Sequence, residues 1–435
     1  MKTKILLLTL PLMALTACSD MSNMEDPQQS GSVQYVLMVP NIKPLQLTAE
    51  QKTFAADNNQ FALRFLQAAD EADQGGQGFV YSPLSITYVL AMVNSAAEGQ
   101  TRQELEQTLG FHKGGIEAVN HYCQKLIEGL PLADESLQLS LANGIFLNKQ
   151  FTLKPQFEQD MQQYFHARAQ ALDFADPATL DLINDWCRRQ TQGMIPTILD
   201  KLNPNAVSYL LNAIHLKAEW TSKFDEKATR EETFTAEDGS SRKLPLMHQH
   251  VFVNYTRNDV FSSIDIPFGN GTWSMAVMLP QEGKSTRDVV RWLSENGWDD
   301  ASPRSFAPHA VDLKLPRFAV RSDTDQMGGG QSLPSLLQDM GIREAFHPSL
   351  ANIPNMCQEG GVFVSNMRQK AAIDVNEEGA EASAVTMAEV LITGAGPETD
   401  AQYQKVDFHA NRPFVYLIHE HSSGVLLFVG KYTGK

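Results

Sequence analysis

Residues 377–393 read EEGAEASAVTMAEVLIT, and two patterns within this stretch conflict. After Gly379, which has no Cβ and can act as a hinge, small and mostly apolar residues alternate with larger or charged ones. The small positions are Ala380, Ala382, Ala384, Thr386, Ala388 and Val390. Alternation of period two is typical of a half-buried strand, whereas abundant Ala, Glu, Met and Leu favour an exposed helix or a mobile loop. A segment compatible with several structures is a candidate conformational switch.

The start of this stretch has the form of a known hinge. Residues 375–382, VNEEGAEA, resemble the reactive-loop hinge of the serpins, with Glu377, Gly379, Ala380, Ala382, Ala384 and Thr386 as hinge positions. Serpins offer a bait loop to a protease and then insert that loop into their own main sheet. The resemblance implies an α+β serpin fold: a large, mostly antiparallel main sheet, two smaller sheets, about eight to nine helices and an exposed reactive loop at about 377–407.

Further motifs resemble the family in the same chain order, from about residue 50 to the end. They include Ser-Pro-Leu-Ser at 82–85, the run LNAIHLKAEW at 211–220, LPRF at 315–318 and RPF at 412–414. The resemblance assigns six residues to the region where the main sheet opens: Ser82, Ser85, Asn212, Trp220, Arg317 and Gln369. Locally, the serines could equally be helix caps, Trp220 a core residue and Arg317 a solvated charge.

Three departures from the family pattern stand out. Gln369 occupies a position where many members have a histidine, so the polar network beneath the sheet is expected to be wired differently. Three glycines at 328–330 look like an insertion, and the segment 394–408 is longer than usual. The motif at 101–104, Thr-Arg-Gln-Glu, has the form of a capping box and predicts a helix that begins there.

The resemblance also locates the bait bond. Counting about seventeen residues from Glu377, which is ~55 Å of extended strand, places the cut between Thr393 and Gly394. No Lys or Arg occurs at 378–404, which disfavours a trypsin-like target. A small β-branched residue before the cut suits elastase-like or subtilisin-like proteases. Val390, Leu391 and Ile392 would fill apolar subsites, which leaves papain-like cysteine proteases open as targets.

The N-terminus predicts export. Two lysines, a short apolar run and small residues at 1–17 form a signal peptide. Cys18 follows Leu-Thr-Ala and resembles the acylated cysteine of a bacterial lipobox. We expect a lipid anchor, with 18–46 a flexible tether and 47–435 the serpin domain. The expected location is the bacterial outer membrane, on its periplasmic face or at the cell surface.

Composition limits the partners. A formal charge of −16 argues against nucleic acid and makes heparin an improbable partner. With Cys18 acylated, Cys123, Cys187 and Cys357 remain, and we expect them to be buried hydrophobic residues of a monomer. The expected partner is a target protease, bound covalently as an acyl-enzyme.

Other classes of function find less support in the sequence. No GxSxG, P-loop, HExxH or GxGxxG motif occurs, so we expect no enzyme and no cofactor. His248 with His250, and His419 with His421, each supply two metal ligands on one strand face. Two histidines make an incomplete site, so no metal centre is expected. The alternative is a non-inhibitory serpin that acts as a sacrificial substrate or binding protein, although the small hinge residues permit insertion.

Overall fold

A computed structural model describes residues 42–73, 76–301, 308–380 and 403–435, together with the backbone of Val36–Leu37. Within these residues the chain forms a mixed α+β structure. The helices are α1 Ala49–Ala72, α2 Pro83–Ala96, α3 Gly99–Leu109, α4 Gly115–Gly129, α5 Pro155–Phe165, α6 Pro177–Gln190, α7 Thr286–Asn296, α8 Trp298–Ala301 and α9 Leu333–Asp339. The strands are β1 Val36–Leu37, β2 Phe79–Tyr81, β3 Gln138–Asn148, β4 Arg168–Leu172, β5 Ser208–Glu219, β6 Arg230–Thr235, β7 Ser241–Arg257, β8 Phe261–Phe268, β9 Trp273–Pro280, β10 Pro308–Pro316, β11 Phe318–Asp323, β12 Met367–Val375, β13 Gly379–Ala380, β14 Lys405–His409, β15 Phe414–Glu420 and β16 Leu426–Tyr432.

Six of the described strands form one mixed sheet in the order β11-β12-β13-β5-β3-β4. Strands β3 and β5 are antiparallel along most of their length, whereas β5 and β12 are parallel. Both faces of β5 are buried: its alternate residues Leu210, Ile214 and Leu216 join the large core, and Tyr209, Leu211 and Ala213 join a second core beneath α6. This two-sided burial explains why β5 is almost continuously apolar.

The other described strands form a single hydrogen-bonded network of ten strands, with the path β14-β10-β7-β8-β9-β15-β16-β2 and with β1 and β6 added at β7. We expected two smaller sheets, and the long strand β7 joins their members into one network. Residues 241–246 of β7 pair with β6, residues 246–254 with β10, and residues 254–257 with β8.

Helix α2 lies beneath the six-stranded sheet, and all of its residues except Ser95 are buried. The sequence specifies where it begins: Ser82 is the N-cap, its hydroxyl accepts from the N–H of Ser85 at 3.3 Å, and Pro83 occupies the first helical position.

The capping-box prediction at 101–104 is wrong. Helix α3 begins two residues earlier, at Gly99, and its N-cap Glu98 makes no side-chain capping bond. The Thr101 hydroxyl instead donates to Glu344 at 2.8 Å. The Thr101 side chain therefore makes a tertiary hydrogen bond and does not cap the helix.

The three described cysteines are free and buried, as expected. Burial raises the pKa of the Cys123 thiol far above its ordinary value and that of Cys187 to about 12. Among the described helices, none has both the length and the apolar character that crossing a membrane requires.

Candidate functional site

The hinge, residues 376–380, leaves β12 through a tight turn. The backbone N–H of Asn376 donates to the Gly379 carbonyl at 2.9 Å, and the N–H of Gly379 donates back to the Asn376 carbonyl at 3.2 Å. The Asn376 side-chain oxygen also accepts from the N–H of Glu378 at 2.9 Å, which fixes the two-residue loop. Strand β13 therefore doubles back antiparallel to β12.

Strand β13 enters the six-stranded sheet between β5 and β12. Ala380 pairs with Val375 of β12 on one side and with Ala218 of β5 on the other. Its side chain is fully buried. Beyond this point β5 and β12 pair directly, residues 210–215 with residues 367–372. We call the boundary between β5 and β12 the seam.

The two strands keep one stagger along the whole seam. Gln369 and Asn212, which pair directly, are 157 positions apart in the chain. Val375 and Ala218, which flank Ala380, have the same separation. Strands β5 and β12 therefore separate to admit β13, and the offset between their residues stays the same.

Gly379 is required by the close approach of two backbones. It has a φ of +150°, and a Cβ at this position would lie 2.0 Å from the carbonyl oxygen of Ala218. Any other residue would push β13 away from β5.

Trp220, directly after β5, supports the hinge turn. Its ring stacks on Phe268, with centroids 4.4 Å apart and planes 11° from parallel. Its indole N–H donates to the Asn376 carbonyl at 2.8 Å, and its backbone N–H donates to the Glu378 carbonyl at 2.9 Å. Trp220 is thus both a core residue, 2% exposed, and a direct contact of the hinge.

Glu377 fastens the turn to the rest of the molecule. Arg317 donates to both carboxylate oxygens, Nε to Oε2 at 3.0 Å and Nη2 to Oε1 at 2.6 Å, and the Thr229 hydroxyl donates to Oε1 at 2.6 Å. Burial raises the pKa of Glu377, but these hydrogen bonds outweigh it and the net pKa lies below the ordinary value. The carboxylate is fully engaged as an anion, which suits fastening rather than proton transfer.

The neighbouring Glu378 makes a second, more exposed contact. The Lys223 ammonium lies 2.5 Å from Glu378 and 3.0 Å from Glu219, the last residue of β5. Lys223 thus ties the turn to the strand beside which β13 lies.

A polar ladder crosses the middle of the seam. The Asn212 amide donates to Asn143 on β3 at 2.8 Å, and the Gln369 amide on β12 donates to Asn212 at 2.9 Å. Gln369 also accepts from the backbone N–H of Ser82 and donates to the Ser82 carbonyl, each at 3.0 Å. Every member of the ladder is buried. In this low-dielectric interior, a polar group without a hydrogen bond would lower the stability of the fold.

Gln369 therefore wires this network without the histidine that many family members have. Its amide offers a donor and an acceptor together, and both reach the backbone at the start of α2. Ser82 is therefore both a member of the ladder and the cap of α2. The Ser85 hydroxyl makes no hydrogen bond to any described residue, and only its backbone N–H contacts Ser82.

The sequence reasoning missed three residues of this region: Asn143, Thr229 and Asn376. Asn143 carries no local signal, because only the antiparallel register of β3 and β5 sets it opposite Asn212. Asn376 could have been found as a turn residue two positions before Glu378.

Several predicted positions lie outside the described residues. They are the lipidation site Cys18, the hinge residues Ala382, Ala384 and Thr386, the subsite residues Val390, Leu391 and Ile392, and the bait bond Thr393-Gly394.

The family model described as "Serpin (serine protease inhibitor)" matches residues 56–434. Mouse and human antithrombin-III are each 30% identical over 389 residues, 86% of this chain and 80% of theirs. Rat glia-derived nexin is 29% identical over 380 residues, 82% of this chain and 88% of its own.

Solved structures share the fold. The thermophilic serpin tengpin in its native state has a TM-score of 0.76 at 24% identity, covering 93% of this chain and 98% of its own. Human thyroxine-binding globulin, solved in complex with thyroxine, has a TM-score of 0.76 at 25% identity, covering 88% of this chain and 98% of its own. The predicted fold is confirmed.

The Glu377 fastening predicts a pH-dependent stability. Glu377→Gln should lower the free energy of unfolding by about 1.5–3 kcal/mol at pH 7, the range for hydrogen bonds to a charged group. Because the folded-state pKa of Glu377 is lowered, its contribution is present above the ordinary value of 4.5 and is lost as the pH falls through the folded-state pKa. Urea unfolding of wild type and variant between pH 7 and pH 3 measures this difference.

Glu378→Gln is the matched control. Its partner Lys223 also binds Glu219, and the ion pair is partly exposed. The free energy of unfolding should therefore fall by less than about 1 kcal/mol. A Glu377→Gln deficit that is constant from pH 7 to pH 3 would contradict the role assigned to the ion pair.

The polar ladder predicts that Gln369 tolerates histidine better than leucine. Gln369→Leu leaves the buried Ser82 N–H and the Asn212 side-chain oxygen Oδ1 without their partners, at a cost of about 1–3 kcal/mol for each group. Gln369→His retains a donor and an acceptor and should cost less. Urea unfolding followed by tryptophan fluorescence compares the two, with the exposed Gln156→Leu as control for the chemical change. Equal stability of the leucine and histidine variants would show that the ladder does not stabilise the seam.

Proposed function

Because the chain belongs to the serpin family, whose members are generally protease inhibitors rather than enzymes, we propose that this protein is a suicide-substrate inhibitor of serine proteases. It would trap the acyl-enzyme by inserting its cleaved loop into the six-stranded sheet. The observation that carries the proposal is the seam: Ala380 already pairs with β5 and β12, and these strands hold one stagger on both sides of the point where they part.

Extending the register of Ala380 along the seam sets the chemistry of the inserted strand. In an inserted strand, Ala382, Ala384 and Thr386 would share the buried face of Ala380, because alternate residues of a strand point the same way. In this register their partners are Ile373, Ala371 and Gln369 on β12 and Leu216, Ile214 and Asn212 on β5, all of them buried. Small side chains at these hinge positions let the strand enter a packed interior.

Thr386 would arrive beside the polar ladder. Insertion must break the Gln369–Asn212 hydrogen bond that closes the seam, and the Thr386 hydroxyl can donate and accept in its place. In the same register Val390 would lie opposite Ser208, the first residue of β5. Thr393 would then lie beyond the end of the sheet, about 40 Å of extended strand from Ala380.

The reaction begins as ordinary proteolysis. The protease nucleophile attacks the carbonyl of Thr393, the amine of Gly394 leaves with a proton, and an acyl-enzyme forms. Insertion then adds backbone hydrogen bonds worth roughly 0.5–1.5 kcal/mol each. About a dozen residues contribute on the order of 10 kcal/mol, comparable to the 5–15 kcal/mol stability of a domain. This is enough to distort the attached protease, and it requires that the uncleaved fold be held kinetically.

The bait sequence supports an elastase-like or subtilisin-like target, because Thr393 is small and β-branched and follows two apolar residues. Papain-like cysteine proteases can use the same subsites.

Ala384→Pro should convert the inhibitor into a substrate. Proline removes a ladder donor and cannot be accommodated in a central strand, so the cleaved loop would not insert. Wild type should give an SDS-resistant complex with elastase. Its thermal midpoint should rise by tens of degrees on cleavage, since a gain of ~10 kcal/mol implies a shift of at least that order. The variant should be cut and release active protease, with no rise in midpoint.

Thr399→Pro, beyond the bait bond, is the matched control and should retain inhibition. Should wild type release every protease that cuts its loop, the alternative of a sacrificial substrate or binding protein would replace this proposal.

Thr393→Arg should redirect inhibition toward trypsin, because a guanidinium reaches the carboxylate of the trypsin specificity pocket. The second-order inhibition rate should rise for trypsin and fall for elastase, and mass spectrometry of the released fragment should locate the cut after residue 393. A principal cut more than two residues away, with inhibition intact, would mean that the bait bond is assigned wrongly.

We also propose that acylated Cys18 anchors the protein to the outer membrane, with the domain on its periplasmic face or at the cell surface. Cys18→Ser should abolish incorporation of labelled fatty acid and move the protein to the soluble fraction, whereas Ser19→Ala should change neither. A Cys18→Ser protein that stays in the membrane fraction would overturn this assignment.

A further inference from the structure

Three neighbouring strands of the ten-stranded sheet bring histidines and carboxylates together, and none of these residues belongs to the hinge or the polar ladder. Strands β7, β10 and β14 lie side by side, with β10 in the middle. The residues that converge are His248 and His250 on β7, Asp312 on β10, and Asp407 and His409 on β14. Each lies at an alternate position of its strand, so all point to one face.

Register explains why the sequence alone did not reveal this group. Asp312 pairs directly with His250 on one side and with Asp407 on the other. These residues are more than fifty positions apart in the chain, and the two histidines at 248 and 250 by themselves make an incomplete site. The fold supplies the missing oxygen ligand.

The distances suit a metal ion. Oδ1 of Asp312 lies 2.6 Å from Nε2 of His248 and 3.8 Å from Nδ1 of His250. The potential ligand atoms of these three residues all lie within 4.8 Å of one another. Ligands of a tetrahedral ion with bonds of about 2.0–2.2 Å lie roughly 3.3 Å apart. Each of these ligand atoms would therefore need to move by less than about 1 Å to reach the spacing of a tetrahedral site.

His409 lies on the other side of the Asp312 carboxylate. Its Nε2 lies 3.6 Å from Oδ2 of Asp312 and makes no hydrogen bond to any described residue. Carboxylates that bind a metal are themselves hydrogen-bonded by outer partners, which orient them, and His409 is positioned to supply such a bond to Asp312.

The local charge and exposure also favour a cation. The ammonium group of Lys314, two residues after Asp312 on β10, lies 2.7 Å from Glu232, which holds this positive charge away from the cluster. The side chains of His248, His250 and Asp312 are 29–31% exposed, so an ion can enter from solvent without opening the core.

We propose that His248, His250 and Asp312 bind a divalent transition-metal ion of the Zn²⁺ class, with His409 orienting the Asp312 carboxylate. Two imidazoles and one carboxylate are ligands that Zn²⁺ prefers over Mg²⁺ or Ca²⁺, and a fourth position is left for water. The ion would join β7 to β10 directly and, through Asp312 and His409, steady β14, the edge strand that follows residues 381–402. This site is independent of the proposed inhibition.

Titration of tag-free, chelator-treated protein tests the proposal. Co²⁺ should produce the visible d–d absorption of a tetrahedral site and saturate at one equivalent, and Zn²⁺ should displace it. Competition with a chromophoric chelator then gives the Zn²⁺ affinity. His250→Ala and Asp312→Asn should each weaken binding at least roughly 10-fold, and His409→Ala should weaken it less than either.

His121→Ala, which removes a half-exposed histidine on α4, is the matched control and should leave affinity unchanged. Asp312→Asn keeps the shape of the side chain, and thermal midpoints measured in chelator verify that each variant is folded. Failure of wild type to give the cobalt spectrum, or undiminished binding by both His250→Ala and Asp312→Asn, would overturn the site and leave the cluster as a hydrogen-bonded ion pair.

Discussion

The direct pairing of β5 with β12 is the constraint on which the rest of the structure depends. These strands are parallel, and parallel ladders are slightly less stable per residue than antiparallel ones. At the hinge end, Ala380 lies between the two strands and pairs with both of them, so β5 and β12 do not pair directly there. An antiparallel strand could replace each remaining parallel pair with two antiparallel ones and keep the stagger of the sheet.

Separate groups of contacts hold this seam closed along its length. At the hinge, Glu377 is bound by Arg317 and Thr229, and Trp220 holds the turn from below. In the middle, the ladder through Gln369 ties both strands to the start of α2. At the far end, the Ser208 hydroxyl donates to the Phe363 carbonyl at 2.8 Å. The groups lie far apart, so a sheet that opens from the hinge must break them in succession.

The two ends of the segment 381–402 are held in different sheets. Its start continues from β13, inside the six-stranded sheet, where Gly379 and Ala380 are buried. Its end leads into β14, an edge strand whose backbone pairs with β10. In the proposed mechanism, cutting the segment would free the first end to move along the seam while the second stays on its own sheet. The histidine and aspartate cluster lies at that second anchor.

The sequence by itself determined the features that are encoded locally. The Ser-Pro-Leu-Ser motif offered a helix cap, and Ser82 forms that cap at the start of α2. Gly379 was interpreted as a hinge, and it begins β13. The family motifs in their order determined the fold. Each of these signals lies within a few residues of chain, where spacing and backbone preference act directly.

Only the tertiary structure decided which distant side chains meet. It joined the two expected smaller sheets through β7, turned Thr101 from a cap into a partner of Glu344, and placed Asn143 and Gln369 on either side of Asn212. It also brought Asp312 to the histidines of β7. The contact of Thr101 depends on how α3 packs against the turn at Glu344. For the others the physical reason is strand register, which sets pairs of residues in contact across long stretches of chain, so that a shift of one residue would turn every side chain to the other face.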